Sequence, residues 1–342
     1  MPTPPPVTPQ VDYSESTFAI TGGTGSFGQT VAMRLLELGA KEVRILSRDE
    51  AKQDAMRHAI ADPRLRYFLG DVRQSQSLAH AFSGADVVFH AAALKQVPSC
   101  EVFPEQALQT NVLGSENVIL QAQAQSVRKV VFLSTDKAVA PVNAMGMTKA
   151  LMEKLVQAYA RRLGANGPVL CCVRYGNVLY SRGSVVPLFL ERIQQRRPLP
   201  VTVPEMTRFL LPLPQAVGLV ELALQVAQTG DLLVRKSPAA SLATLTTAIQ
   251  GLFRVELLIE HIGIRPGEKI HETLASAEEL SRAIDLGDHL RIPMLGSAPP
   301  HSGAGAFMPG QEFTSANAKQ LDVAQTQAML RAIPQLAQAL SC

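Results

Sequence analysis

Two stretches of the 342-residue chain combine residue types that could do chemistry. The first is Thr21-Gly22-Gly23-Thr24-Gly25-Ser26-Phe27-Gly28, with glycines at positions 22, 25 and 28. It follows a short apolar run and precedes a helical pattern that stops at Gly39. A side chain in such a turn would hold a pyrophosphate off the backbone. The helix behind it offers unpaired N–H groups and the positive end of its dipole. In this strand–turn–helix setting the loop predicts dinucleotide binding. The second stretch is Ser134-Thr135-Asp136-Lys137, at the end of an apolar strand run, with Met145-Gly146-Met147-Thr148-Lys149 on the following helix. An adjacent carboxylate and amine offer an acid and a base, and open α/β sheets bind their ligands at the carboxyl ends of strands. Met145 and Lys149 are four apart and share a helix face.

The end of the second strand run bears on which dinucleotide binds. An Asp or Glu roughly 20 residues past the glycine loop would take the ribose 2′-hydroxyl of NAD. Ser47-Arg48 stand there instead, with Lys52 one turn on. Arg48 suits a 2′-phosphate and Ser47 could donate a hydrogen bond to it, so the reading is NADP ahead of NAD. Asp71, after the third strand run, is expected to face the adenine. Ala91-Ala92-Ala93, after the fourth, supply small side chains where the backbone must pass the cofactor.

These residues need a scaffold that brings strand ends to one edge. Strand-like runs lie at 17–21, 43–47, 66–69, 86–90, 129–134 and 168–174, with longer helical stretches at 104–125 and 144–163. Apolar strands alternating with helices predict an α/β fold, a Rossmann-type doubly wound parallel sheet over residues 17–176. Beyond Tyr175 six prolines between 187 and 214 break the pattern. Strand pieces at 232–235 and 257–262 and helices at 215–228 and 241–252 suggest a smaller α+β substrate-binding lobe, 177–295, interleaved with the first domain. Residues 296–342 read as a C-terminal arm, Gly-, Ser- and Pro-rich to 314, ending in a helix of about the last 20 residues. Residues 1–16 read as a flexible Pro-rich tail.

Composition narrows the classes. With 46% apolar and 18% charged residues the chain can bury a sizeable core. A net charge of +3 without a clustered basic face does not point to nucleic acid or a membrane surface. Cys100, Cys171, Cys172 and Cys342 lack metal-ligand spacing, so reduced thiols and no metal are expected, with Cys100 in a loop near the site. No apolar run is long enough to span a bilayer and the N-terminus lacks a signal-peptide pattern, giving a cytoplasmic expectation.

The stretch STDKAVAPVNAMGMTKALMEK resembles the extended short-chain dehydrogenase/reductase superfamily, whose Tyr-x-x-x-Lys has Met145 in the Tyr position here. None of the five tyrosines has Lys four residues later. That stretch, with TGGTGSFG, SRDEAKQDAMR, GDVR, HAAALKQVPSCE, TNVLGSENV, RYGNVLYSRGSVVPLF, MTRF and RPGEKIHETL, is similar to the inverting UDP-N-acetylglucosamine 4,6-dehydratases. It is closest in pattern to their capsular-polysaccharide subgroup, which is also a 5-epimerase and has Met for Tyr. The likeness runs from about residue 18 to 293.

The resemblance implies oxidation at sugar C4, loss of water across C5–C6, return of hydride to C6 and reprotonation at C5. It implies Lys137 as the C5 base, Asp136 as helper to the leaving 6-hydroxyl, Lys149 at the nicotinamide ribose and Thr135 at the 4-hydroxyl. Thr21, Ser26, Phe27, Val72 and Tyr175 join the cofactor set. Lys95, Asn177, Arg182, Arg208, Arg265 and Glu268 form the UDP-sugar set, and a homo-oligomer, a hexamer in relatives, is expected. A UDP-sugar 4-epimerase and a non-catalytic NADP-binding regulator are the alternatives. Two segments depart from the family pattern. Ser315-Ala316-Asn317-Ala318 replaces an SHNT-like segment that would form a latch or subunit contact, and residues 211–215 (LPLPQ) replace an acidic helix start.

Overall fold

The computed structural model describes residues 11–181, 183–296, 308 and 310–341. The first half runs β1 (Thr17–Thr21), α1 (Ser26–Glu37), β2 (Glu42–Ser47), α2 (Glu50–Ala59), β3 (Leu65–Leu69), α3 (Ser75–Phe82) and β4 (Val87–His90). It continues with α4 (Val97–Val102), α5 (Pro104–Leu108), α6 (Gly114–Ala124), β5 (Lys129–Leu133), α7 (Ala144–Leu163) and β6 (Val169–Arg174). β1 and β5 are buried at every position, which is why their sequences are continuous apolar runs rather than alternating ones. Successive residues still face opposite layers. Phe18 and Ile20 pack into one core and Ala19 into the other.

The second half contains β7 (Asn177–Val178), α8 (Val185–Gln194), β8 (Leu199–Val201), β9 (Thr207–Leu211), α9 (Leu213–Val226), β10 (Leu232–Arg235), β11 (Ala239–Ser241) and α10 (Leu242–Phe253). Then come β12 (Ile259–His261), β13 (Thr273–Ala275), α11 (Ala277–Leu280), β14 (Ile284–Asp285), β15 (His289–Ile292), β16 (Phe313–Thr314), α12 (Val323–Arg331) and α13 (Pro334–Ser341).

The main sheet has the order β14-β15-β10-β6-β5-β4-β1-β2-β3. Its β3-β2-β1-β4-β5-β6 portion is parallel throughout, the Rossmann order. Chain direction across the sheet reverses between β1 and β4, so a crevice opens over their carboxyl ends. A smaller lobe carries the three-stranded sheet β11-β9-β7 and the pair β12-β8, over a core of Phe189, Leu199, Ile249, Leu330 and Leu336.

Several boundaries differ from the sequence reading. β10, expected in the lobe, is a main-sheet strand parallel to β6, because its Leu232-Leu233-Val234 run is buried on both faces. The 104–125 stretch is two helices joined by a π-helical turn, Gln109–Leu113. α9 begins at Leu213 with Pro214 in its first turn, where a missing N–H costs nothing, so the LPLPQ segment starts the helix. The expected terminal helix is split into α12 and α13 ahead of Pro334. Most of the arm at 296–314, residues 1–10 of the tail, and Cys342 lie outside the described residues.

Arg174, at the end of β6, ties the layers together. Its guanidinium is 2% exposed and pairs with Glu153 of α7 at 2.5 Å and Glu279 of α11 at 2.9 Å. Burial opposes the charge, yet the two carboxylates outweigh it and hold the arginine protonated. Arg174→Ala strands both carboxylates, so a loss of about 3–5 kcal/mol in chemical denaturation is expected.

Candidate active site

A cleft of about 1090 Å³ lies over the strand ends, between the sheet and the smaller lobe. Nearly every residue singled out in the sequence reaches it. Gly22, Gly25, Ser26, Phe27, Gly28, Ser47, Arg48, Lys52, Asp71, Val72, Ala91, Ala92 and Ala93 line one part. Lys95, Thr135, Asp136, Lys137, Met145, Lys149, Tyr175, Asn177, Arg208, Arg265 and Glu268 line the rest. Arg182 falls outside the described residues. Thr21 does not reach the cleft. It is fully buried beneath the loop, with Oγ1 2.7 Å from His90 Nδ1, so its role is to brace β1 against β4. The far ring nitrogen of His90 meets Ser115 Oγ at 2.9 Å, and burial pushes this histidine down to about 3, which keeps it neutral.

The glycine loop fits a pyrophosphate. A Cβ on Gly28 would lie 2.6 Å from Gly23 Cα, so only glycine lets α1 start against the turn. Gly25 is the N-cap of α1 and has no side chain to cap the first turn, leaving those N–H groups to an anion. Phe27 stacks on Tyr175 with ring centroids 5.8 Å apart. At the end of β2, Ser47 Oγ sits 2.9 Å from Thr24 Oγ1. The Arg48 side chain is 56% exposed and makes one long ion pair, 3.7 Å, with Asp71. Asp71 is held more firmly by Arg73 at 2.5 Å, and Lys52 is paired with Asp49 on its own helix. Arg48 is therefore the cation with most room to turn toward a ligand, whereas Lys52 is committed elsewhere.

The acid–base residues sit on a 3-10 turn, Asp136–Ala138, that follows β5. Asp136 is fully buried. Its Oδ1 accepts from Thr135 Oγ1 at 2.9 Å and from Lys137 Nζ at 3.1 Å. The Thr135 hydroxyl thus faces Asp136. Lys137 Nζ is also 3.4 Å from Glu272 Oε1, and Arg208 Nε is 3.9 Å from that same oxygen. Burial works against the Lys137 charge, but Asp136 and Glu272 outweigh it and hold the amine above its ordinary range. This is no exposed pair at a strand end. It is a cluster of two carboxylates and two cations facing the cleft. Arg208, expected in the UDP-sugar set, faces this cluster, with Nη1 donating to the carbonyls of Thr207 and Ile270.

α7 completes the wall. Asn143 caps it, accepting from Gly146 N–H at 2.8 Å and donating to Gly267 O at 2.7 Å, which joins α7 to the Arg265–Glu268 loop. A Cβ on Gly146 would run into the Lys137 carbonyl, so glycine sets how closely α7 approaches the Asp136–Ala138 turn. Met145 is 4% exposed and packs with Cys100 and Ala107. Cys100, expected in a loop, lies on α4 and is fully buried. Lys149 Nζ donates to Leu133 O at 2.8 Å, and burial lowers its pKa to about 8.

Two residues with clear places in this site were missed in the sequence. Glu272 lay unremarked in the RPGEKIHETL motif, where it stands between His271 and Thr273 in a mostly polar run that carries no periodic signal. Ser315 belongs to the segment that departs from the family pattern. It is fully buried, with its N–H donating to Glu272 O at 2.7 Å and its Oγ accepting from Glu272 N–H at 2.9 Å. Instead of losing a latch, this segment clamps the backbone of Glu272. Among the described residues no group of His, Cys, Asp and Glu could hold a metal ion, and no helix is long and apolar enough to cross a membrane.

The Lys149 environment makes a checkable statement. Its native pKa lies near 8 against 10.5 for a free lysine, so between those values the unfolded chain holds a proton the native chain lacks. Stability contributed by this group therefore rises with pH across that window. NMR titration of lysine-labelled protein should show one amine with a midpoint near 8 that vanishes in Lys149→Met. A midpoint above 10 would contradict the burial.

Comparison with known proteins places the chain. Residues 18–294 match the family model described as polysaccharide biosynthesis protein. Proteins named UDP-glucose 4-epimerase from Rickettsia canadensis (strain McKiel) and Rickettsia bellii (strain RML369-C) are 48% and 47% identical over 329 residues, covering 93% of this chain and 96% of each relative. The solved structure of Pen from Bacillus thuringiensis superposes with a TM-score of 0.86 at 34% identity, over 93% of this chain and 98% of that one. DesIV, a dTDP-glucose 4,6-dehydratase from Streptomyces venezuelae solved with NAD, has a TM-score of 0.67 at 22% identity over 74% of this chain and 86% of its own, a likeness of fold. With its Rossmann sheet, glycine loop and Lys149 on the helix after β5, the chain is a member of the polysaccharide biosynthesis protein family on the extended short-chain dehydrogenase/reductase fold.

Proposed function

We propose that this protein is an inverting UDP-N-acetylglucosamine 4,6-dehydratase that uses NADP and yields a UDP-2-acetamido-2,6-dideoxy-4-hexulose with C5 inverted. The observation that carries the reading is the buried Asp136–Lys137–Glu272 cluster on the cleft, beside a Met145 that has no proton to exchange. Elimination across C5–C6 needs a base for the C5 proton and an acid for the departing 6-hydroxyl, and this cluster supplies both types. A bound nicotinamide dinucleotide would supply the hydride acceptor for C4 and the donor for C6. Lys149, with its lowered pKa, is the residue best suited to take over proton transfer at the 4-hydroxyl from the missing Tyr. Arg265 and Glu268 hold each other at 2.6 Å at the lobe side of the cleft, and with Asn177 and Lys95 they are the groups we give to the UDP-sugar.

A UDP-glucose 4-epimerase is the second reading, favoured by the names of the Rickettsia relatives. Epimerisation at C4 needs one proton acceptor at O4 and leaves C5 and C6 untouched. It has no use for a second carboxylate around Lys137. A non-catalytic NADP-binding regulator would likewise have no use for the buried cluster, whose desolvation costs several kcal/mol per ion.

Incubation with UDP-N-acetylglucosamine and catalytic NADP+ in deuterated water, followed by mass spectrometry and proton NMR, tests the reading. Loss of one water from the sugar with deuterium at C5 is expected. A product of unchanged mass in the unexchanged part of the sugar favours the epimerase. Lys137→Ala and Asp136→Asn should each slow turnover by about 10²-fold or more at unaltered NADP+ affinity. For the cofactor, Arg48→Ala should weaken NADP+ by roughly ten- to a hundredfold, the worth of a charged hydrogen bond, and leave NAD+ unchanged.

A further inference from the structure

If the proposed elimination is right, Lys137 must be a neutral amine when it meets the C5 proton, yet the geometry makes it an ammonium between two carboxylates. Asp136 Oδ1 is shared, taking hydrogen bonds from Thr135 and Lys137 together. Glu272 Oε1 lies 3.4 Å from Lys137 Nζ. The second oxygens of Asp136 and Glu272 are both buried and have no hydrogen-bond partner among the described residues. An unsatisfied carboxylate oxygen in a buried position is costly for an anion and is relieved when the group takes a proton. Glu272 also does not move freely. Both its backbone N–H and its carbonyl are held by Ser315, whose Oγ is itself 2.7 Å from Thr207 Oγ1. So the C-terminal segment fixes a carboxylate from the smaller lobe against a lysine on the sheet.

We propose that Glu272 is the proton acceptor for Lys137, a positioning residue that sets the protonation state of the C5 base. The Lys137 Nζ–H bond breaks as an O–H bond forms at Glu272 Oε1, leaving an amine and a carboxylic acid. The amine lone pair takes the C5 proton, and the C5–H electron pair passes toward the C4 ketone. The pair then holds two protons. One leaves with the 6-hydroxyl as water, which returns the pair to ammonium and carboxylate. The proton released from the 4-hydroxyl at the first step replaces the one lost from C5 and arrives on the opposite face, so C5 inverts and the proton count closes over one turnover. The groups facing Lys137 are Asp136 on its own turn, Arg208 on β9, Glu272 ahead of β13 and Lys269 on the loop before it. Of these only Asp136 and Glu272 can accept a proton, and the proposed reading gives Asp136 to the departing 6-hydroxyl, which leaves Glu272 for Lys137.

This inference deepens the proposed dehydratase reading and rests on it. The test compares wild type, Glu272→Gln and Glu272→Asp as full-length protein with NADP+ bound. Turnover of UDP-N-acetylglucosamine is measured against pH, and the Lys137 amine is titrated by lysine NMR. Gln keeps the shape but cannot take the proton. We expect kcat to fall by about 10²–10⁴-fold with KM and NADP+ affinity unchanged. We also expect kcat to climb with pH as hydroxide replaces the lost acceptor, and the Lys137 midpoint to fall because one anion beside it is gone. Asp, shorter but still basic, should recover part of the rate and the wild-type pH dependence. If Glu272→Gln keeps the wild-type pH profile and Lys137 midpoint, at whatever rate, the proposal is overturned. Should Glu272→Gln not fold, Glu272→Asp decides, since a pH profile displaced to alkaline values is expected if shortening weakens the transfer and an unmoved profile with lost rate is not. Should wild type not consume the sugar, the function reading fails, and the NMR midpoints alone decide whether Glu272 governs Lys137.

Discussion

An ammonium at the cleft wall held between two buried carboxylates is the constraint around which this molecule is arranged. Each buried carboxylate gives up hydration, which close and well-oriented partners must offset. The partners come from distant parts of the chain. Asp136 and Lys137 follow β5, whereas Glu272 precedes β13 and is clamped by Ser315 from near the C-terminus. Neither half of the protein can form the cluster alone. Arg208, 3.9 Å from Glu272, sets a second cation against the two carboxylates.

The same economy runs through the neighbouring walls. Gly146 lets α7 press against the Lys137 carbonyl, and Asn143 ties the start of that helix to the loop carrying Arg265 and Glu268. Lys149 reaches back to the β5 carbonyl at Leu133, and burial lowers its pKa. Met145, in the place where the superfamily has a tyrosine, fills an apolar nook with Cys100 and Ala107. The ionisable groups that touch one another therefore lie on the β5 side of the cleft, with Lys149 set apart from them on α7.

Much of this was legible in the chain. Apolar runs buried on both faces identified the parallel strands, and the glycine spacing identified the turn at which α1 begins. Those signals are local, and each is imposed by the backbone. What stayed hidden was non-local. The run at 232–235 looks the same whether it belongs to a lobe or to the main sheet, because burial on both faces is all the sequence reports. Thr21 sat in the right motif but turned inward to His90, a choice made by a partner on another strand. Arg208 lies near a carboxylate from another part of the chain, and Glu272 carried no pattern at all. A charged residue earns its place in this site through what faces it, and that is written only in the fold.

The central claim is that the buried cluster serves chemistry at C5 and C6 of the sugar rather than at C4 alone. UDP-N-acetylglucosamine deuterated at C4 tests it directly, with product analysed by proton NMR. The account predicts that the label leaves C4 and appears in a new methyl group at C6. Label retained at C4, on either configuration, would contradict it.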